Sequence, residues 1–146
     1  MRVVVQKEPF DFGAEADGFA RGRQDSGAIV TFTGVVRDVD GGLQQMEIEH
    51  YAGMTEKALE TIANEAITRW LLEDALVIHR HGVLKTGDMI MMVATAARHR
   101  KDAFEAAEFL MDFLKSRAPF WKREITADKA GWVEARGEDE DALKRW

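Results

Sequence analysis

The sequence predicts an α+β fold, one domain of mostly antiparallel strands with two principal helices. Three observations carry this. The chain has 146 residues, 46% hydrophobic and 32% charged, which suits one globular core of moderate size. Short runs rich in Val, Ile, Phe and Thr recur and read as strands. Two long stretches instead space their apolar residues as helices do. No linker, repeat or low-complexity segment interrupts them, so residues 1–146 are read as a single domain.

In order, residues 2–6 form a β-branched strand, and a helix follows Pro9 over residues 11–20. Asp25-Ser26-Gly27 is turn chemistry. Residues 28–37 read as a strand, and residues 38–42 as a hairpin loop. Met46 and Ile48 then alternate with Glu47 and Glu49, as in a half-buried strand. Ala58, Leu59, Ile62, Ala63, Ala66, Ile67 and Trp70 define the first long helix, with Thr55 as its cap. Residues 75–84 and 89–97 read as two strands joined by Lys85-Thr86-Gly87-Asp88. Phe104, Ala107, Met111 and Leu114 define the second long helix, with Asp102 as cap and Glu105 completing a capping box. Pro119 stops it, because proline lacks the N–H and crowds the preceding turn. Residues 120–126 and 132–136 close the fold as strands, and the acidic tail, 137–146, reads as a solvated terminus.

Composition excludes several function classes. The chain has no cysteine, hence no disulfide, no thiolate metal ligand and no thiol nucleophile. Any sulfur chemistry must use sulfur carried by another molecule. The net charge of −6 argues against a general nucleic-acid binder. No apolar run approaches the roughly 20 residues of a membrane helix. Met1-Arg2-Val3-Val4-Val5 is too short for a signal peptide, so a cytoplasmic location is expected.

The charge is nonetheless uneven. Arg98-His99-Arg100-Lys101 lies at the start of the second long helix, where free amides already favour an anion. The same cluster also fits a solvated turn whose arginines pair with surface carboxylates. Lys115 and Lys122 flank Pro119, so a helix–stop–strand corner can turn both toward one pocket. Helix-end stabilisation for Lys115 and a solvent-facing strand position for Lys122 are the plainer readings. His79 and His81 alternate along one strand face, but no third ligand stands at a compelling spacing, and they read as packed residues rather than a metal site. A non-catalytic phosphate-binding module and a dimeric clamp for a peptide tail both remain compatible with these features.

Val30-Thr31-Phe32-Thr33-Gly34-Val35-Val36-Arg37, Glu49-His50-Tyr51-Ala52-Gly53-Met54, His79-Arg80-His81-Gly82 and, most specifically, Leu114-Lys115-Ser116-Arg117-Ala118-Pro119-Phe120-Trp121-Lys122-Arg123-Glu124 together resemble the molybdopterin synthase large-subunit family. The resemblance implies a hammerhead-type α/β fold and a homodimer of large subunits within a heterotetramer. Each large subunit would hold a small ubiquitin-like partner whose C-terminal Gly-Gly carries a thiocarboxylate. The implied activity is sulfur transfer to cyclic pyranopterin monophosphate, giving the molybdopterin dithiolene, with no cofactor and no metal. By the same resemblance Lys115 and Lys122 are catalytic and also contact substrate. Val35 and Val36, through backbone, bind substrate together with Arg37, His99, Arg100, Arg123 and Glu124, and Arg37 reaches the pocket across the dimer interface.

The physics suits that assignment. A thiocarboxylate and a cyclic phosphate are both anions, so cations must offset their repulsion. Positive groups also stabilise charge building on the oxygen that sulfur displaces. Arg123 beside Lys122 is expected to lower the basicity of that lysine, whereas Asp112, one turn before Lys115, should keep Lys115 charged.

Overall fold

The computed structural model describes residues 1–39, 42–126, 130–133 and 136–146. Strand β1 (Arg2–Gln6) and helix α1 (Phe12–Ala20) are followed by β2 (Ala28–Val35), β3 (Leu43–His50) and helix α2 (Met54–Trp70). Strands β4 (Asp74–Arg80), β5 (Gly82–Leu84) and β6 (Met89–Ala97) lead into helix α3 (Arg100–Ser116). Strands β7 (Phe120–Thr126) and β8 (Ala130–Val133) and helix α4 (Gly137–Leu143) complete the chain. The α+β expectation with mostly antiparallel strands holds. One four-stranded sheet has the order β1-β4-β6-β2, and the other the order β5-β3-β7-β8. Only the β1–β4 pairing is parallel among the described residues.

The first sheet is covered on both faces. Val77 and Val93 pack against Leu59, Ile62 and Ala66 of α2 and Ala106, Phe109 and Leu110 of α3. Their strand neighbours Leu76, Ile78, Met92 and Ala94 meet Phe19 of α1 on the other face. A strand buried on both sides shows an apolar run rather than alternation, as Ala75 to Ile78 do. Residues 75–84 read as one strand, although His79-Arg80-His81-Gly82 interrupts that run. The structure breaks them at His81. Gly82, at φ +93, turns the chain out of the first sheet, and β5 pairs with β3 in the second. Glycine takes that backbone conformation without a Cβ penalty.

Other local expectations shift for similar reasons. The hairpin loop expected over residues 38–42 includes residues 40 and 41, outside the described set, and the strands on either side, β2 and β3, belong to different sheets. The Asp38 carboxylate instead accepts the Val39 and Leu43 N–H groups at 2.8 and 2.7 Å. Thr55 lies inside α2, whose N-cap is Gly53. Its hydroxyl accepts the Tyr51 N–H and donates to the Pro119 carbonyl, both at 3.0 Å. Asp102 is likewise in the first turn of α3, with His99 at the N-cap. An acid there still suits the helix dipole. The last strand runs over Ala130–Val133, earlier than expected, and residues 134–135 lie outside the described set.

The acidic tail is anchored. No α4 residue is buried, but Trp146 packs edge-on to Trp70 and Phe109 at 5.5 and 5.8 Å. Its indole N–H and the Arg145 guanidinium both donate to the Asp112 carboxylate.

Candidate active site

The site is built on the two ends of α3. At the C-terminal end the helix closes with the Arg117 N–H on the Phe113 carbonyl at 2.7 Å, and Pro119 prevents a further turn. Thr55 fastens this corner to the start of α2. Lys115 stands exposed on the last helical turn. Its amine has no hydrogen-bond or ion-pair partner among the described residues. Asp112, expected to hold it, is already committed to Arg145 and Trp146.

Lys122 follows on β7, directly opposite Ile48 of β3. Residues opposite one another share a face of the sheet, and Ile48 belongs to the small core of Val36, Met46, Ile48 and Leu84. Lys122 is therefore half-buried rather than solvent-facing. Burial, followed by the nearby Lys115 charge, pushes its ammonium down to about 8, with Asp139 of α4 acting in the opposite sense. Glu124, two residues on, has the same facing, opposite Met46. Arg123 does not. Period-two alternation sends it to the other face, where it pairs with Glu47 at 2.5 Å and lies 5.9 Å from the Trp132 ring centroid. The depressed basicity of Lys122 thus comes from burial and Lys115, not from Arg123 as expected.

Beneath the corner lies a residue that sequence reasoning set aside as packing. His79, 3% exposed, is the last but one residue of β4 and stacks on Phe120 with centroids 3.8 Å apart and planes 18° from parallel. Its Nδ1 is 2.7 Å from the Arg80 carbonyl. A carbonyl only accepts, so Nδ1 carries the hydrogen. Burial, reinforced by the Lys122 and Lys115 charges, pushes the ring down to about 3, and it is neutral at physiological pH. His81, beyond the sheet break, meets His50 instead, at 4.0 Å between centroids. No group of three metal-ligating side chains occurs among the described residues.

The other end of α3 is an open cationic surface. His99 takes an extended N-cap conformation with no side-chain cap, leaving the first-turn amides free of a capping side chain. Arg98, His99 and Arg100 are exposed. None of these three side chains has a hydrogen-bond or ion-pair partner among the described residues, contrary to a turn whose arginines pair with surface acids. A cleft of about 460 Å³ adjoins them, lined by Arg69, Trp70, Leu71, Arg98, His99 and Asp102. Arg69 lies over the Trp70 ring at 4.9 Å. Sequence reasoning missed Arg69, although Arg69-Trp70 at a helix end was a visible cue. It also read Gly27 only as a turn. A Cβ there would sit 2.6 Å from the Arg98 carbonyl, so glycine is required for β2 to approach this loop.

The third predicted segment, at the end of β2, is mixed. Val35 is 49% exposed and Val36 is 1% exposed. The Val36 N–H is already donated to the Asp88 carbonyl and its own carbonyl accepts the Gly87 N–H, both at 2.8 Å. The Val36 N–H is therefore occupied within the fold. Arg37 is exposed and has no polar partner among the described residues.

Within one chain the structure joins Lys115 with Lys122 and leaves Arg98, His99 and Arg100 apart from them. Lys115 lies sixteen residue steps along the helix from His99, about 24 Å at 1.5 Å per residue. These features define a class: an α+β protein with paired lysines at one end of a long helix and an anion-ready cationic surface at the other.

The chain belongs to the MoaE protein family, whose match covers residues 5–117. It is 67% identical to the molybdopterin synthase catalytic subunit of Cereibacter sphaeroides, with all of both chains aligned. A molybdopterin cofactor biosynthesis protein E from Burkholderia multivorans has the same fold, with a TM-score of 0.84 and 49% identity over 99% of this chain and 95% of that one. The molybdopterin synthase of Staphylococcus aureus superposes with a TM-score of 0.82 at 31% identity, covering 90% of this chain and 96% of that one.

Proposed function

We propose that the chain is the catalytic subunit of a molybdopterin synthase, a sulfurtransferase acting on cyclic pyranopterin monophosphate. The sulfur comes from the C-terminal thiocarboxylate of a small ubiquitin-like subunit, which a chain without cysteine requires. The observation that carries the reading is the half-buried Lys122, with its proton affinity near neutrality and Lys115 beside it. In each transfer the thiocarboxylate sulfur bonds to a pterin side-chain carbon and the C–O bond there breaks. Lys122 supplies the proton to the departing oxygen. Water then cleaves the acyl–sulfur bond and returns the partner's tail as a carboxylate. Lys115 contributes fixed positive charge near that tail, where two anions must meet. His99 and Arg100 hold the phosphate, assisted by Arg37.

The separation along α3 supports an assembly of two copies. A substrate held by His99 and Arg100 of one chain cannot reach the lysines of the same chain across about 24 Å. The working unit is therefore a homodimer, in which the cationic end of one copy faces the lysine corner of the other. With two small subunits it forms a heterotetramer. On this reading each chain acts as one domain in the cytoplasm.

Reconstitution tests the proposal. The chain alone, or with the carboxylate form of the small subunit, should produce no dithiolene. The thiocarboxylated form should restore turnover and lose sulfur mass only when the pterin phosphate is present. Comparable dithiolene formation from free sulfide would overturn it.

A further inference from the structure

We propose that His79 is a positioning residue for Lys122: its ring, stacked on Phe120 and pinned by the Arg80 carbonyl, is the wall that holds the lysine side chain in a dry setting during sulfur transfer. The role in transfer rests on the synthase reading, whereas the proximity of the two residues does not. Four observations carry it. The ring is almost wholly buried, yet it lies at the end of β4, where the chain leaves the first sheet. The charges of both lysines reach it. Its stacking partner Phe120 is two residues before Lys122 on the same face of β7. Finally, its hydrogen is committed to the Arg80 carbonyl, which fixes the ring plane and the tautomer.

The fastening continues outward. The Arg80 guanidinium donates to the Lys7 carbonyl at 2.8 and 3.0 Å and to the Met89 carbonyl at 3.4 Å. The His81 N–H is bonded to the Gln6 carbonyl at 3.0 Å. The backbone that carries the acceptor of the His79 ring is thereby fixed to both neighbouring strands. A neutral aromatic ring also suits this place better than a charged one. A permanent cation would repel both lysines, and an anion would trap Lys122 in its charged form. The charged groups facing this pair from the surrounding elements are Lys115 of α3, Asp139 of α4 and His81 beyond β4.

The direct test is the titration of Lys122, followed by NMR on the folded chain carrying ¹³C-labelled lysine. Loss of the signal in Lys122→Arg assigns it. In the wild-type chain the midpoint should lie near 8. His79→Gln, similar in length but unable to stack, and His79→Ala, which opens a cavity, should admit water and move the midpoint upward toward the ordinary lysine value. His79→Phe keeps the stack and should leave it in place. In the reconstituted synthase His79→Gln should lower kcat by roughly 10-fold or more with KM nearly unchanged, a part of the roughly 100-fold or more that proton transfer contributes. If His79→Ala does not fold, His79→Gln decides. A folded His79→Gln chain that titrates and turns over as wild type would overturn the proposal. A shifted midpoint in a chain without sulfur transfer would retain the positioning role and sink the synthase reading instead.

Discussion

At its N-terminal end α3 presents Arg98, His99 and Arg100 to solvent without polar partners, whereas its C-terminal end leads to a corner where Lys122 is half-buried against an apolar core. Both ends are cationic, but the physics differs. Exposed guanidinium groups remain charged at any working pH and suit a ligand that needs holding. A lysine withdrawn from water holds its proton less tightly and suits a step that moves a proton. The comparison teaches that charge count alone does not assign a role. Burial does, and the fold supplies it at only one of the two ends.

The strongest way to break that comparison is at Lys122. Lys122→Ala and Lys122→Arg should each cost on the order of 100-fold or more in turnover, because arginine keeps the charge but does not exchange a proton. Lys115→Arg should retain measurable turnover, since only fixed charge is asked of it. The pH profile carries the same signature. A proton donor must begin charged, so wild-type turnover should fall as pH rises through about 8. Single-turnover sulfur transfer with purified components measures both effects. Equal rescue by arginine at the two positions would remove the proton-transfer role.

At the other end the effect should be on binding. Arg100→Ala removes a charged hydrogen bond worth about 1.5–3 kcal/mol, or roughly 10-fold to over 100-fold in affinity for the cyclic phosphate. Binding of the small subunit should change little. Calorimetry at low salt would show it, and unaltered substrate affinity would return Arg100 to the status of a solvated surface residue.

How much of this could be read in advance depends on which signal a residue leaves. The two long helices were legible because Leu59, Ile62, Ala66 and Trp70, and then Ala107, Met111 and Leu114, recur at helical spacing. The corner at Pro119 was legible because proline cannot continue a helix. The sheet break at Gly82 was not. Its one sequence signal was His79-Arg80-His81 followed by Gly82, and it was passed over because the burial of His79 and Arg80 and the positive φ of Gly82 appear only in the fold. The paired lysines were visible only as a possibility, and the resemblance selected them. Alternation along β7 already contained the separation of Arg123 from Lys122. The distance between His99 and Lys115 could likewise be calculated from helical rise alone. His79 looked like ordinary packing because the residue that gives it context, Phe120, is far away in sequence and near only in the fold.

A milder perturbation asks whether the two ends meet across subunits. A chain carrying Lys122→Ala and one carrying Arg100→Ala are each poor enzymes at low substrate. Random exchange makes half of the dimers mixed, and each mixed dimer has one composite site with both ends intact. Activity should therefore return to about a quarter of wild type. If each site lay within one chain, mixing would give only the average of the two parents.

The smallest effect on chemistry should come from the residue between the two ends. Trp146 touches Trp70 and Phe109 near the middle of α3, and its indole N–H is bonded to Asp112, one turn before Lys115. Trp146→Ala removes those aromatic contacts and leaves a partly covered apolar patch. A buried Phe or Trp truncated to Ala costs about 3–5 kcal/mol, and a partly exposed terminal residue should cost less, roughly 2 kcal/mol. The loss would appear as a lower Tm. Neither end of the site uses the indole, and Arg145 still engages Asp112 at 2.7 Å. Sulfur transfer at 25 °C should then stay within a few-fold of wild type. A large fall in kcat with unchanged stability would mean that the two ends communicate through α4 and do not act independently.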